Sequence, residues 1–151
     1  TGRMAMVIPN GILNNPGNAY IRDWLLKHAQ ILAVVDMQRD LFQPGNDTQT
    51  SMVLMRRLSS EEVAEAEDKG LDYPVFMAVA EKIGHDKRGN LIYRRTADGE
   101  DALVKHVETI AEIDQETGAE VMREVEVTER QIDDELGEVA MAYRNWLEEQ
   151  V

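Results

Sequence analysis

Blocks of hydrophobic residues separated by polar segments predict the elements of the first third of the chain. Met4 to Ile8 and Ile31 to Val35 are continuous apolar runs, which are typical of strands covered on both faces. A helix is predicted between them, from about Ala19 to Gln30, because bulky residues recur every three or four positions: Ile21, Trp24, Leu25 and His28. A polar loop from Gln38 to Gln49 leads to a further apolar stretch from Met52 to Met55. This order predicts a parallel βαβ unit with one added strand over residues 3–57.

The rest of the chain has weaker patterns. Residues 59–69 are acidic and predict a short exposed helix or a linker, and Val75 to Ala80 is apolar enough for a strand. Leu91 to Tyr93 is predicted to return as its hairpin partner across the turn at 85–90. Alternation over residues 107–127 favours a second hairpin over a charged helix, and helical spacing resumes from Ile132 to the end. Three segments follow: 1–58, 59–131 and 132–151.

Charge is distributed unevenly between these segments. The formal net charge of −13 opposes contact with nucleic acid. Residues 1–58 carry six basic and four acidic residues, a net charge of +2, whereas residues 59–151 carry ten basic and 25 acidic residues, a net charge of −15. Any surface that faces DNA is therefore expected in the first segment. The acidic remainder is expected to face solvent or a protein partner, although an acidic soluble protein without such partners fits equally well.

Several classes of function are disfavoured by what the sequence contains. The chain has no cysteine, so disulfides and thiolate zinc sites are excluded. His28, His85 and His106 share no ligand spacing, so no metal site is expected, and His85 beside Asp86 lacks a nucleophile for proton-transfer chemistry. No apolar run is long enough to span a membrane, and a cytoplasmic location is expected. The opening Thr1-Gly2-Arg3 is interpreted as an artificial or proteolytic start, not the start of a gene.

Seven short segments, in order, resemble the modification (methyltransferase) subunits of type I restriction-modification systems. Gly2 to Leu13 looks like the family's "GR-apolar-P-[DN]-G-x-L" segment, and residues 75–90, VFMAVAEKIGHDKRGN, look like its "VFMAxxExIGYDxRGN". The others are Tyr20–Leu26 (similar to "YVREWLL"), Ile31–Val35 ("ILAVVSLP"), Asp40–Pro44 ("ETFQP"), Thr50–Leu54 ("KTSVLFL") and Ile132–Leu136 ("DDDL"). Each segment is weak alone, but together they cover most of the chain except roughly residues 97–131.

The resemblance implies a fold class and a role. The fold would be α/β: a partial Rossmann-like methyltransferase sheet of strand, helix, strand and strand, followed by β-hairpins and a C-terminal helix. The chain would supply the fifth, sixth and seventh strands, the seventh being the antiparallel strand inserted beside the sixth. The parent enzyme would transfer a methyl group from S-adenosylmethionine to adenine N6 in DNA. Its partners would be DNA, the specificity subunit and the restriction subunit.

Two motifs that this chemistry requires are missing. The chain has neither a glycine-rich turn after a first strand nor an Asn-Pro-Pro-aromatic tetrapeptide. Asn15-Pro16-Gly17-Asn18 is interpreted as a turn with an N-cap. We therefore expect the isolated chain to be inactive and, because half a sheet leaves an open edge, to self-associate.

Residues close to the substrate can still be proposed. Strand carboxyl ends face the ligand crevice in such folds, which places the turn Pro9, Asn10 and Gly11 and the loop 38–49 near it. The resemblance adds Phe42, Asp47, Thr48 and Thr50 near the extruded base or its strand. Phe42 could stack on a base or cap the core beneath the loop, and Asn10 could bond a cofactor or base edge or be a plain turn residue.

Two other functional classes remain open. A non-catalytic binding or assembly module derived from a methyltransferase would look the same within these residues. An unrelated small α/β protein is the third possibility, which the ordered matches disfavour. In the closing helix, Trp146 and Leu147 could pack on the domain or face a partner.

Overall fold

A computed structural model of the chain describes residues 2–69 and 72–150. Within those ranges the protein is mixed α/β, with four α-helices and two β-sheets. The chain divides into two compact units, one formed by Thr1–Asn90 with Asp134–Val151 and the other by Leu91–Asp133.

The first unit contains four strands and four helices. Its strands are β1 (Arg3–Pro9), β2 (Ala29–Met37), β3 (Thr50–Arg57) and β4 (Phe76–Ala80). Its helices are α1 (Asn10–Asn14), α2 (Ala19–His28), α3 (Ser60–Lys69) and α4 (Leu136–Glu149), with short 3₁₀ turns at Pro16–Asn18 and Arg39–Phe42. The predicted strand, helix, strand, loop, strand order over residues 3–57 is confirmed.

The strands form one sheet in the order β1-β3-β2-β4. β3 is antiparallel to both of its neighbours, whereas β4 is parallel to β2. β1 and β2 therefore run in the same direction but are separated by β3. The βαβ prediction has the right strand directions, but its two parallel strands are not adjacent.

The two central strands, β3 and β2, are covered on both faces, which agrees with their almost continuously apolar sequences. The edge strand β1 is exposed except at Ile8, so the prediction that Met4 to Ile8 is covered on both faces is wrong. On one face, Ile8, Val53 and Met55 are buried beneath α1 and α2, whose Leu13 and Leu25 pack against them. On the opposite face, Val35 and Met37 of β2 are buried with Ala80 of β4, and the side chains that cover them are Leu41 and Val139. Alternation of side chains along each strand divides the core between the two faces.

The predicted hairpin between residues 75–80 and 91–93 is wrong. β4 pairs in parallel with β2, from Ala33 opposite Phe76 to Met37 opposite Ala80. Tyr93 instead meets Ile132 in an isolated bridge of the second unit. The turn at 85–90 is nevertheless present, since the Asp86 carboxylate accepts hydrogen bonds from the backbone N–H groups of Arg88 and Asn90 at 2.8 and 2.9 Å. Local turn chemistry does not determine the partner of a strand, and the edge of β2 takes β4.

Helix α2 ends earlier than predicted, at His28, because Ala29 and Gln30 belong to β2. Its two basic residues, Lys27 and His28, lie in the last turn as expected. Asn18 precedes the helix, but its side chain donates to the carbonyl oxygen of Gly11 at 3.0 Å and does not cap α2.

The second unit is built around a long antiparallel hairpin, β5 (Leu103–Ile113) and β6 (Glu120–Arg130). The preference for a hairpin over a charged helix is therefore confirmed. Its turn is closed by the Asp114 carboxylate, which accepts the backbone N–H of Thr117 at 2.7 Å, and by Gly118 at a φ of 68°. Only glycine adopts such a positive φ without strain.

Candidate functional site

Four polar side chains meet at the carboxyl end of β1 and β2, and we call them the strand-end cluster: Asn10, Asp36, Gln49 and Ser51. The Asn10 side-chain amide donates to Oδ1 of Asp36 at 2.8 Å. The Ser51 hydroxyl lies 2.8 Å from Oδ1 of Asn10 and 3.1 Å from Oδ1 of Asp36, and its single proton serves either oxygen. Gln49 donates to the other Asp36 oxygen at 3.3 Å.

The sheet topology brings these residues together. Asn10 directly follows β1, Asp36 is the penultimate residue of β2, and Ser51 is the second residue of the intervening antiparallel strand β3. In the ladder, Ser51 is opposite both Ile8 and Asp36, so their side chains point to the same face. The backbone N–H of Asn10 donates to the Gln49 carbonyl at 3.0 Å, which fixes the turn after β1.

The cluster is partly shielded from solvent. Ser51 is buried at 3% exposure, and Asn10 and Asp36 are half-buried. A half-buried carboxylate that accepts hydrogen bonds from an amide and a neighbouring polar group is held in one orientation, because its partners satisfy the charge that burial would otherwise penalise. The arrangement therefore presents a fixed carboxylate and a fixed amide at one strand end. It can bind a group that both donates and accepts hydrogen bonds.

The predicted residues near β1 lie beside this cluster. Pro9 is the last residue of β1 and pairs with Thr50, the first residue of β3. Gly11 is exposed in α1, where its carbonyl accepts the backbone N–H of Asn15 at 3.1 Å. Thr50 is buried at 5% exposure, and its hydroxyl oxygen has no hydrogen-bond partner among the described residues.

The other predicted residues lie in the loop 38–49, and their polar contacts are internal to it. Asp47 forms a two-point ion pair with Arg39, with distances of 3.0 and 2.8 Å. The hydrogen bond from Arg39, followed by one from Gln43, lowers the pKa of the Asp47 carboxyl. Thr48 donates to the side-chain oxygen of Asn46 at 2.6 Å, and Phe42 is 44% exposed at the end of the 3₁₀ turn. Leu41, not Phe42, packs on the core beneath this loop.

Sequence reasoning named Asn10 and included Gln49 only as part of the loop 38–49, and it missed Asp36 and Ser51. Asp36 directly follows the apolar run of β2, so its charge at a strand end was a usable signal. Ser51 was hidden, because its relevance depends on β3 lying between β1 and β2. That pairing brings Ser51 next to Asn10, which is 41 residues away in sequence.

The histidines do not form a second site. The His85 ring donates to the backbone carbonyl of Asp86 at 2.8 Å, while the Asp86 carboxylate is used by the turn. His28 bonds the Trp24 carbonyl at 2.7 Å, and His106 bonds Glu108 at 2.9 Å. Within residues 2–69 and 72–150, no three His, Asp or Glu side chains are grouped to hold a metal ion.

Comparison with known proteins adds no family assignment: no family model matches the chain, and no curated protein matches it. Across the part of the chain that the structure describes, no helix combines the length and the apolar character needed to cross a membrane.

Proposed function

We propose that this chain is the C-terminal part of the catalytic domain of a DNA adenine-N6 methyltransferase of the type I restriction-modification kind. Its sheet would be the end of a Rossmann-like methyltransferase sheet. Intact, the enzyme would use S-adenosylmethionine, bind DNA and assemble with a specificity subunit and a restriction subunit. The proposal rests on the ordered resemblance of seven segments and on the position of one strand in the sheet.

The observation that carries the proposal is the position of β3. The resemblance implies two parallel strands followed by an antiparallel strand beside the second of them. In the structure β1 and β2 run in the same direction, and β3 is antiparallel beside β2. A chain with strand, helix, strand, strand order has other ways to pair, such as an antiparallel meander, so this agreement supports the proposal beyond the sequence patterns.

The strand-end cluster gives the proposal a location for substrate. Ligands of open α/β sheets bind outside the carboxyl ends of parallel strands. Asn10 and Asp36 lie at those ends of β1 and β2, and their fixed amide and carboxylate suit the donor and acceptor edge of a base or nucleoside. Phe42, on the loop that follows β2, is sufficiently exposed to stack on a base.

The described residues do not form a site for S-adenosylmethionine by themselves. Two grooves of about 870 and 670 Å³ in the described part of the chain are lined by residues other than Asn10, Asp36 and Ser51. The sequence also has no glycine-rich turn that would allow close approach to the cofactor. We therefore expect the isolated chain to be inactive.

The first experiment is a calorimetric titration of the 151-residue chain with S-adenosylmethionine. We expect no saturable heat at millimolar concentrations. Binding near micromolar affinity would overturn the reading of the chain as an incomplete catalytic domain. A second experiment tests the enzyme class: the chain is expressed together with its natural upstream coding sequence, and transfer of a labelled methyl group to duplex DNA is measured.

Within that longer polypeptide, Asp36→Asn is the informative variant. It keeps the size of the side chain and removes the charge to which Asn10 and Gln49 donate. We expect methylation to fall by about tenfold or more, as for loss of a positioned polar group at a site. Asp98→Asn, at an exposed turn of the second unit, is the matched control and is expected to have no effect. Absence of any methylation by the unmodified longer polypeptide would contradict the proposed class.

A non-catalytic assembly module derived from a methyltransferase is the second candidate. The observation in its favour is the long exposed hairpin β5–β6, which offers a binding surface unrelated to methyl transfer. The upstream coding sequence distinguishes the two candidates. The methyltransferase requires the glycine-rich turn and the Asn-Pro-Pro-aromatic motif there, whereas the assembly module does not.

A further inference from the structure

The hairpin of the second unit is anchored at its base. The Arg130 guanidinium lies 3.8 Å from the centre of the Tyr93 ring, which is cation–π geometry. Asp101 pairs with Arg95 at 2.7 Å and with Arg130 at 3.6 Å. Backbone hydrogen bonds from Arg94 to Gln131 and from Gln131 to Ala102, both 2.8 Å, complete the base. The strands above it keep one unbroken register from Leu103–Arg130 to Ile113–Glu120.

Beyond this base, the hairpin is mostly uncovered. Among the described residues, no third strand pairs with either β5 or β6. Large apolar side chains are left in solvent along it, with Leu103, Val107, Ile113 and Met122 each between 63 and 69% exposed. A two-stranded sheet is marginally stable in water, and exposed apolar side chains on an open strand edge are typical of a surface that binds another chain.

The register defines which groups the open edge of β6 offers. The backbone N–H of Asp114 donates to the Ala119 carbonyl at 2.9 Å, and the Asp114 carbonyl accepts the N–H of Gly118 at 2.8 Å, so both backbone groups of Asp114 point into the hairpin. Hydrogen-bonded and non-bonded pairs alternate along an antiparallel ladder. The N–H and C=O groups of Glu120, Met122 and Glu124 therefore point away from β5, toward solvent. Their side chains share one face, because every second residue of a strand does.

This edge is acidic as well as open. Glu120 and Glu124 form no ion pair with any described residue, whereas the basic residues Lys105 and Arg123 are already paired with Glu126 and Glu112. Residues 103–130 carry eight acidic and three basic residues, a net charge of −5. The charge excludes DNA as the preferred occupant, since phosphates would be repelled. A second copy of this chain is also disfavoured. If two β6 strands paired antiparallel about a twofold axis at Met122, Arg123 or Glu124, a glutamate of one copy would lie opposite a glutamate of the other.

We propose that the outer edge of β6 binds an extended, basic segment of a protein partner, which adds a third strand to the hairpin. The spacing of the edge defines the partner. Residues opposite Glu124 and Glu120 are cationic, and the residue opposite Met122, midway between them, is apolar. The partner strand therefore carries the pattern Lys-x-apolar-x-Lys, in which Arg can replace Lys. The backbone ladder supplies affinity and the two ion pairs supply selectivity. This inference is independent of the proposed methyltransferase function.

The test uses two synthetic peptides of identical composition. The probe is Thr-Lys-Thr-Val-Thr-Lys-Thr, which places both lysines and the valine on one face of a strand. The control is Thr-Thr-Lys-Lys-Val-Thr-Thr, whose adjacent lysines point to opposite faces. Binding to the isotopically labelled full chain is followed by amide resonances at low salt, because exposed ion pairs are screened at high salt.

We expect the probe to bind about fivefold more tightly than the control, as for two cross-strand ion pairs. It should slow amide exchange at Met122 and Glu124, whose N–H groups face outward, more than at Val121 and Arg123, which are already bonded within the hairpin. Equal affinity for both peptides, or perturbed resonances confined to other parts of the chain, would overturn the proposal. Concentration-dependent protection of the same amides without peptide, or their perturbation by duplex DNA, would also overturn it, in favour of a second copy or of nucleic acid.

Charge-reversal variants separate the edge from the overall charge. Glu120→Lys/Glu124→Lys should remove the preference for the probe. Glu116→Lys/Glu129→Lys changes the net charge equally but lies in the turn and on the opposite face of the hairpin, and it should keep the preference. Loss of the preference in both double variants would show that the overall charge, and not the edge of β6, selects the peptide.

Discussion

Helix α4 is held on strand β4 by three aromatic rings, and this contact allows a quantitative prediction. The Phe76 ring lies edge-on to Tyr143 at 5.3 Å and is tilted against Trp146 at 5.8 Å. Each such pair contributes about 0.5–1.5 kcal/mol beyond the burial of apolar area. Phe76→Leu keeps an apolar side chain but removes both ring pairs. We therefore expect it to lower the free energy of unfolding by about 1–3 kcal/mol.

The assay uses the fact that the chain has two tryptophans. Trp24 is 59% exposed on α2, so Trp24→Phe gives a background in which fluorescence reports Trp146 alone. Urea denaturation is followed by circular dichroism in a double-mutant cycle of Phe76→Leu and Trp146→Leu, and also by this fluorescence in the variants that keep Trp146. The expected coupling energy is about 0.5–1.5 kcal/mol.

Met77→Leu is the matched control. Met77 is the neighbour of Phe76 in β4, but its side chain is on the opposite face and is 68% exposed. A change within about 0.5 kcal/mol is expected for it. If the effects of Phe76→Leu and Trp146→Leu are strictly additive, the rings make no specific contact, and the docking of α4 on β4 described here is incorrect.

Three further predictions concern the start of α3 and one turn. Ser59 precedes α3, and its hydroxyl accepts the backbone N–H of Glu62 at 3.2 Å. Ser59→Ala should therefore lower the free energy of unfolding, measured by urea denaturation, by about 1 kcal/mol. An unchanged free energy would contradict a capping role for Ser59. Hydrogen bonds from Arg56 and Ser59 lower the pKa of Glu62 to about 2, from an ordinary value of 4.5. Because the pKa of Glu62 is lower in the folded chain, its contribution to stability is complete above about pH 4.5 and is lost as the pH falls toward 2. An NMR titration in which the Glu62 carboxyl resonance of the folded chain moves near pH 4.5 would refute this. Gly89 has a φ of 83°, and a Cβ placed there would lie 3.4 Å from Cδ of Pro44. Gly89→Ala should therefore destabilise the chain by about 1–2 kcal/mol. Gly137→Ala, in helix α4, is the control and should not destabilise it.

The elements of the first unit could be predicted from sequence because each depends on local periodicity. The apolar run of β2 reflects its burial, and the three-and-four spacing of α2 includes Leu25, which packs against the core cluster of Ile8, Val53 and Met55. Burial is nevertheless incomplete where the pattern suggested it. Trp24 is in the predicted apolar face of α2 but is 59% exposed, and its ring stacks on His28 of the same helix with 4.5 Å between the ring centres.

Pairing between strands could not be predicted in the same way. β4 has the same apolar character whether it forms a hairpin with residues 91–93 or runs parallel to β2, and its composition does not distinguish these partners. The strand-end cluster depends on the same long-range information, since Asp36 and Ser51 become neighbours only through the β2–β3 ladder. The resemblance did indicate an antiparallel strand beside β2, which the periodicity of residues 50–57 alone does not.

The central position of β3 has a consequence for how the sheet assembles during synthesis. β3 is the last of the first three strands to leave the ribosome, but it fills the gap between β1 and β2. Until residues 50–57 emerge, these two strands have no ladder to join, and their apolar side chains remain open to other nascent chains. A ribosome that pauses after β2 has emerged, but while residues 50–57 are still inside its exit tunnel, therefore displays an aggregation-prone intermediate. Once β3 has emerged, it can complete the three-stranded part of the sheet in one step, because this single strand provides the hydrogen-bonding partners for both β1 and β2.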